Sequence, residues 1–294
     1  LTRHESWTLP APAKLNLFLH VTGRRRDGYH TLESLMVPID RADFITLSPR
    51  EDAAVIRTGG AVGIDADNDL AIVAARLLQR ECEVDRGVSI GIDKRLPMGA
   101  GLGGGSSDAA TVLLGLNRLW GLDLSRERLM QIALDLGADV PFFVFGEPAL
   151  ARGIGEILES CSVPPSWFVV LVPTIHVSTA EIFAAAELTR NSESAKMSVF
   201  SEGYGRNDLQ QAAVARFDAI GDALAALRGV APDAGTRMTG SGACVLAAFD
   251  NEEAAQQAHS RLPRGLTGFI ARALDRHPLW SFARSDAGWP AFRT

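Results

Sequence analysis

The sequence predicts an α+β fold divided into two domains, and three observations carry that prediction. Apolar residues recur at period 2 in some stretches and near period 3.6 in others, along the whole chain. The 294 residues reach the ceiling of a single hydrophobic core, about 250–300 residues, and are comfortable for two. The pattern also changes after Gly146. There SCSVPPS, at 160–166, separates a glycine-marked first part from a second part in which strands and helices alternate. The boundary is expected near residue 160, giving domains 1–160 and 161–294.

The first element is KLNLFLHV at 14–21, with Leu15, Leu17, Leu19 and Val21 on one face and Lys14, Asn16, Phe18 and His20 on the other. That alternation predicts a half-buried strand. A charged turn, TGRRRDGYH at 22–30, follows, and then two short strands at 35–39 and 44–47. Leu70, Val73, Ala74, Leu77 and Leu78 have helical spacing over 70–80, and Val88, Ile90 and Ile92 alternate as a strand. A glycine tract leads into a helix over 106–120. Ser125 is placed to cap a second helix, RERLMQIALDL, which stops at Gly137. GADVPFF then reads as one polar residue, Asp139, entering an apolar strand. In the second domain, strands are expected at 167–172, 243–249 and 268–274, and helices around 179–187, 208–217, 219–228 and 251–261. Residues 275–294, rich in Trp, Arg and Pro, show no period and are expected to pack back on the first domain.

The apolar fraction of 47% and the charged fraction of 22% are ordinary for a globular chain, so disorder is excluded as the main state. A net charge of −6 argues against a nucleic-acid partner. No apolar run is long enough to span a membrane, and LTRHESWTLPAPAK lacks the core of a signal peptide. Cys82, Cys161 and Cys244 have neither metal-ligand nor redox spacing, which suits a reducing, cytoplasmic setting. Of 29 basic residues only Lys14, Lys94 and Lys196 are lysine. In a chain that otherwise uses arginine, a remaining lysine is a candidate for a role that arginine cannot fill.

The glycine tract, LPMGAGLGGGSSD at 96–108, is the strongest local signal. Glycines before a helix let the backbone approach a ligand and aim free N–H groups and the positive dipole end at one point, which suits phosphate. A flexible loop is the plain alternative. Gly99, Gly101 and Gly104 match G-x-G-x-x-G, but the tract follows several elements instead of the first strand, and Asp123 precedes a helix, so a dinucleotide-binding fold does not fit. No Lys follows the last glycine, so the P-loop does not fit either.

Four segments together, PAKLNLFLHVTGRRRDGYH (12–30), LPMGAGLGGGSSDAA (96–110), LGADVPFF (136–143) and MTGSGACV (238–245), resemble a third owner. The chain resembles the GHMP kinases over residues 10–275. Within them it is similar to the 4-diphosphocytidyl-2-C-methyl-D-erythritol kinase family, to which the PAKLNLFL and DGYH stretches are specific. The resemblance implies a two-domain GHMP kinase fold with its active site in the interdomain cleft. It implies transfer of the ATP γ-phosphoryl group to the 2-hydroxyl of the cytidine-linked acceptor, in the non-mevalonate route to isoprenoid precursors. It also implies Mg2+ as a cofactor, and a monomer or weak homodimer without nucleic-acid or membrane partners.

By the same resemblance, Lys14 and Asp139 match the catalytic pair, Asp139 as proton acceptor, and Asn16 contacts the methylerythritol. Tyr29 and His30 match the cytosine site, one stacking and one reading the polar edge. Phe183 matches the opposite ring, with Thr179 close by. Pro97, Met98, Gly99, Ala100, Gly101, Leu102, Gly103, Gly104, Gly105, Ser106 and Ser107 wrap the ATP phosphates, and Lys94 touches the nucleotide. Gly240, Ser241 and Gly242 match the third superfamily loop. Two positions depart from the pattern: Asp69 stands where Asn is expected near the adenine, and Ala180 where Pro is expected beside the pyrimidine.

Taken singly, these residues have plainer readings. Lys14 is a solvated strand lysine, Asp139 a turn aspartate, Tyr29 and Phe183 packing, and Arg24, Arg25 and Arg26 a solvated turn. For magnesium the nearest acidic residue is Asp108, with the hydroxyls of Ser106 and Ser107 as further candidates. The rival functions are a homoserine or mevalonate kinase, a non-catalytic nucleotide-binding regulator, and a dinucleotide-dependent oxidoreductase. DGYH, the Lys14–Asp139 pair and the tract's position disfavour them in turn.

Overall fold

Two long strands form the spine of the first half. β1 (Trp7–Arg24) and β2 (His30–Arg50) pair antiparallel along their whole length, from Trp7 opposite Leu47 to Arg24 opposite His30, in a computed structural model that describes residues 5–60, 63–164, 166–193 and 206–284. Lys196 lies outside the described residues. The turn between the strands closes with Arg25 N–H donating to the Tyr29 carbonyl at 2.7 Å.

β2 replaces the two short strands expected at 35–39 and 44–47. The alternation falters at exposed Asp40 and Arg41, but pairing with β1 runs on through Pro12–Ala42 and Lys14–Pro38, and a register shift between Pro12 and Lys14 absorbs the irregularity. On this sheet lie β3 (Val55–Arg57), β4 (Gly87–Asp93), β5 (Ala149–Arg152) and β6 (Ile157–Ser160), in the order β3-β4-β2-β5-β6 with β1 on β2.

Four helices cover the sheet: α1 (Leu70–Glu81), α2 (Gly104–Leu119), α3 (Arg126–Leu134) and α4 (Val140–Phe145). Ser125 caps α3 as expected, its hydroxyl accepting from Arg128 N–H at 3.2 Å. The apolar run after Asp139 is a helix and not a strand. Pro141 fits a first turn, and all six residues of α4 are buried, so no periodicity distinguishes the two.

In the second half, β7 (Trp167–Leu171), β8 (Arg237–Met238), β9 (Val245–Phe249) and β10 (Gly268–Arg272) form a sheet in the order β10-β7-β9-β8. It carries α5 (Thr179–Phe183), α6 (Leu209–Val214), α7 (Asp218–Val230) and α8 (Glu252–Ser260).

Each half has its own core, and a third apolar cluster joins them. Ala13, Leu15, Ile39, Leu96 and Leu102 from the first half pack with Phe168, Val170, Cys244, Leu246 and Ala271 from the second. β1 is therefore buried on both faces. Its polar residues Lys14, Asn16 and His20 are as inaccessible as its leucines, which corrects the half-buried expectation. Residues 277–284 return to the first half: His277 N–H donates to the Gly146 carbonyl at 2.7 Å, and the Asn117 amide to the Phe282 carbonyl at 2.9 Å. No helix among the described residues is long and apolar enough to cross a membrane.

Candidate active site

The glycine tract crosses from β4 to α2 and meets β1 at its middle. Lys14 N–H donates to the Leu102 carbonyl at 3.0 Å. Gly103, at φ 71°, caps α2 without a side chain, and a Cβ there would lie 2.9 Å from Phe143 and 3.2 Å from Lys14 Cγ. A bulkier residue would push Lys14 aside or unwind the cap. Gly101, at φ 78°, faces the loop 239–242, where a Cβ would come within 2.6 Å of the Thr239 carbonyl oxygen. Cys244 N–H donates to the Ala100 carbonyl at 3.2 Å, so the two glycine loops are stitched together across the halves. The N-terminal turn of the 16-residue α2 opens at this junction with no side-chain cap.

Lys14 and Asp139 meet beside that turn. Lys14 Nζ stands 3.6 Å from Asp139 Oδ2, with side chains 5% and 40% exposed. The ammonium is thus held from behind while the carboxylate opens outward. Asp139 precedes α4 yet makes no side-chain cap bond, which leaves its oxygens for the cleft. Asn16 fixes the lysine. Its Oδ1 accepts from Lys14 Nζ at 2.5 Å, its Nδ2 donates to Ser34 Oγ at 2.7 Å, and its N–H donates to Thr239 Oγ1 at 2.8 Å. Asn207 supports the second loop from beneath, donating to the Gly240 carbonyl at 2.7 Å. Across the seam Thr179 Oγ1 and Ser241 Oγ share a hydrogen bond of 2.7 Å.

Lys94 lies at the stem of the glycine tract. Its ammonium is held between two buried carboxylates, hydrogen-bonded to Asp43 Oδ2 and at 2.7 Å from Asp108 Oδ2. Asp43 Oδ1 also accepts from Arg95 and Leu96 N–H, at 2.6 and 2.7 Å. The triad ties the stem before the glycine tract to the first turns of the helix after it. Burial pushes the Asp108 carboxyl up to about 7, with the Asp43 charge adding to the effect and Lys94 opposing it. Of the magnesium candidates, Asp108 gives Oδ2 to Lys94 and keeps Oδ1 buried without a partner among the described residues, whereas Ser107 is buried and donates to the Pro12 carbonyl at 2.6 Å. Only Ser106 of the three has a side chain without a protein partner among the described residues, where no group of three or more His, Cys, Asp or Glu side chains could hold a metal.

The aromatic residues gather at the far end of β1 and β2. The His30 and Phe183 rings are stacked, with centroids 5.2 Å apart and planes 27° off parallel. Tyr29 is 61% exposed and touches neither ring among the described residues. Met98, at the tip of the tract, is also exposed, and His176 lies against Gly99. Asp69 caps α1 and pairs with Arg57 at 3.3 Å, and Ala180 is exposed on α5. Thus Lys14, Asn16, Asp139, the tract, the 239–242 loop and Thr179 come together, and His30 and Phe183 form a separate cluster. Ser34, Asp43, Asn207 and Thr239 escape sequence reasoning. Thr239 lies inside a recognised motif, but the other three carry no local signal.

The chain matches the GHMP kinases N terminal domain over residues 69–147 and the GHMP kinases C terminal domain over residues 184–267. It is 56% identical over 277 residues to 4-diphosphocytidyl-2-C-methyl-D-erythritol kinase of Thiobacillus denitrificans, covering 94% of this chain and 99% of that one. It is 52% identical over 279 residues to the enzyme of the same name from Cupriavidus metallidurans, covering 93% and 95%. A crystal structure of 4-(cytidine 5'-diphospho)-2C-methyl-D-erythritol kinase superposes with a TM-score of 0.80 at 33% identity, covering 91% of this chain and 99% of that one. Homoserine kinase from Cytophaga hutchinsonii shares the fold, with a TM-score of 0.72 at 16% identity over 94% and 97% of the two chains.

Proposed function

Since the chain belongs to the GHMP kinases, and within them to the 4-diphosphocytidyl-2-C-methyl-D-erythritol kinase family, we propose that it phosphorylates the 2-hydroxyl of 4-diphosphocytidyl-2-C-methyl-D-erythritol with ATP. This is a step of the non-mevalonate route to isoprenoid precursors. The observation that carries the chemistry is the buried Lys14 ammonium 3.6 Å from the open Asp139 carboxylate, beside the uncapped start of α2.

Phosphoryl transfer asks a protein mainly for positioning and for stabilisation of charge. In the proposed mechanism the glycine tract and the N–H groups of α2 hold the ATP phosphates. Asp139 takes the proton of the acceptor hydroxyl as its oxygen attacks the γ-phosphorus. The bond from that phosphorus to the bridging oxygen breaks, and ADP leaves. Lys14 balances the charge that gathers on the transferring group, and Asn16 keeps it aimed. Lys94 anchors the tract with the two donors it gives to Asp43 and Asp108, and its third donor is left for the nucleotide. Magnesium bound with the nucleotide would neutralise part of the charge on its phosphates. The cytosine lies between Tyr29 and Phe183, with His30 at its edge and Thr179 nearby.

The division into lobes 1–160 and 161–294, a cytoplasmic setting and a monomeric or weakly dimeric state belong to the same proposal. A homoserine or mevalonate acceptor would leave the aromatic cluster without a base to hold. The test is ADP release with a panel of acceptors. Turnover with the cytidine-linked alcohol supports the reading, and turnover with homoserine or mevalonate alone refutes it.

A further inference from the structure

Arg190 is placed where it governs the aromatic cluster. It follows α5, and its Nε donates to His30 Nε2 at 3.1 Å. Its two remaining nitrogens donate to the carbonyls of Leu188 at 3.1 Å, Phe183 at 3.2 Å and Ala185 at 2.7 Å. One guanidinium therefore grips the end of the helix that carries Phe183 and the ring stacked on Phe183. A guanidinium has donors and no acceptor, so the His30 Nε2 it meets must offer a lone pair. A neutral imidazole has one proton, and here it resides on Nδ1. With one ring face on Phe183 and Nε2 on Arg190, the Nδ1 edge has no partner among the described residues.

We infer that Arg190 is a positioning residue that fixes the His30 tautomer, so that an Nδ1–H donor faces the pyrimidine and favours cytosine over uracil. This rests on the substrate reading above. Cytosine offers an acceptor at N3, whereas uracil carries N3–H there, a donor facing a donor. The charged groups that face the ring are Arg190 and Arg24. Burial first, and then these two cations, lower the His30 pKa and keep the ring neutral at physiological pH.

Two measurements test the inference. Long-range proton–nitrogen spectra of the native enzyme report the tautomer directly, and His30 should carry its proton on Nδ1 between pH 6 and 8, an interval around the ordinary histidine pKa of about 6.5. In Arg190→Met the ring is released. If the Nδ1–H form falls to about a fifth of the molecules, the KM for the cytidine-linked acceptor rises about fivefold at pH 8. As the pH falls far enough to protonate the still buried ring, the imidazolium restores Nδ1–H and KM returns toward the native value. The KM for ATP stays put, and the preference over a uridine-linked acceptor shrinks. A KM that rises without recovering at low pH marks a merely structural role and overturns the inference. The spectra need no variant, so they decide even if Arg190→Met misfolds. A native proton on Nε2 overturns the inference and leaves the substrate reading intact, whereas a native enzyme inactive on the cytidine acceptor overturns the substrate reading itself.

Discussion

Replacing Lys14 by arginine keeps the charge and changes only the shape of its carrier. The lysine stem passes the start of α2, where even a methyl group on Gly103 would lie 3.2 Å from Lys14 Cγ. Its ammonium is fixed by Asn16 Oδ1 at 2.5 Å and by Asp139 at 3.6 Å, in a site where the side chain is 5% exposed. The longer, planar guanidinium has a fixed fork and cannot end at the same point. It must displace Asn16, Asp139 or the γ-phosphate by about 1 Å, and a misplacement of that size costs on the order of 10²-fold in rate. The expected outcome is such a loss in kcat with an unchanged thermal midpoint, measured by coupled ADP release and calorimetry. Lys196→Arg is the comparison and should be neutral. A fully active Lys14→Arg enzyme would remove Lys14 from the mechanism and discredit the inference from the remaining lysines.

Other perturbations separate the roles of the remaining residues. Asp139→Asn keeps size and loses the proton acceptor, so kcat should fall by roughly 10²–10⁴ with acceptor KM nearly kept, and a mutant with most of its kcat would exclude Asp139 as the base. Tyr29→Ala should raise the acceptor KM by about 10- to 100-fold, for a stacking contact worth roughly 1–3 kcal/mol, and leave the KM for ATP alone; a joint rise in both would make Tyr29 structural. Asp108 binds its proton more tightly in the folded state, at about 7, than in an unfolded chain. Its contribution to stability is therefore present in acid and lost as the pH rises through about 7. Urea midpoints should decline from pH 5 to pH 8 in the native enzyme and decline less in Asp108→Asn; identical slopes would contradict that assignment.

The sequence discloses the long elements and the loops whose chemistry is local. The glycine tract announces an anion site because glycine is needed where backbone approaches backbone, as at Gly101 against Thr239. Ser125 announces the start of α3 because a cap is a contact over three residues. The strands that pass unnoticed, such as β3 and β8, have three and two residues and carry no period to detect. The burial of Lys14 is illegible because it depends on loops more than 80 residues away closing over β1. Arg190 is hidden for the same reason: its partner His30 lies 160 residues earlier, and nothing in a chain full of arginines distinguishes this one.

The central claim concerns which oxygen receives the phosphoryl group. Incubating the enzyme with ATP and 4-diphosphocytidyl-2-C-methyl-D-erythritol and following the mixture by phosphorus NMR tests it most directly. The account predicts one ADP per acceptor consumed and a single new phosphomonoester on the 2-hydroxyl, with the cytidine diphosphate signals retained. A phosphomonoester on another hydroxyl, or ADP formation without any new ester, would contradict it.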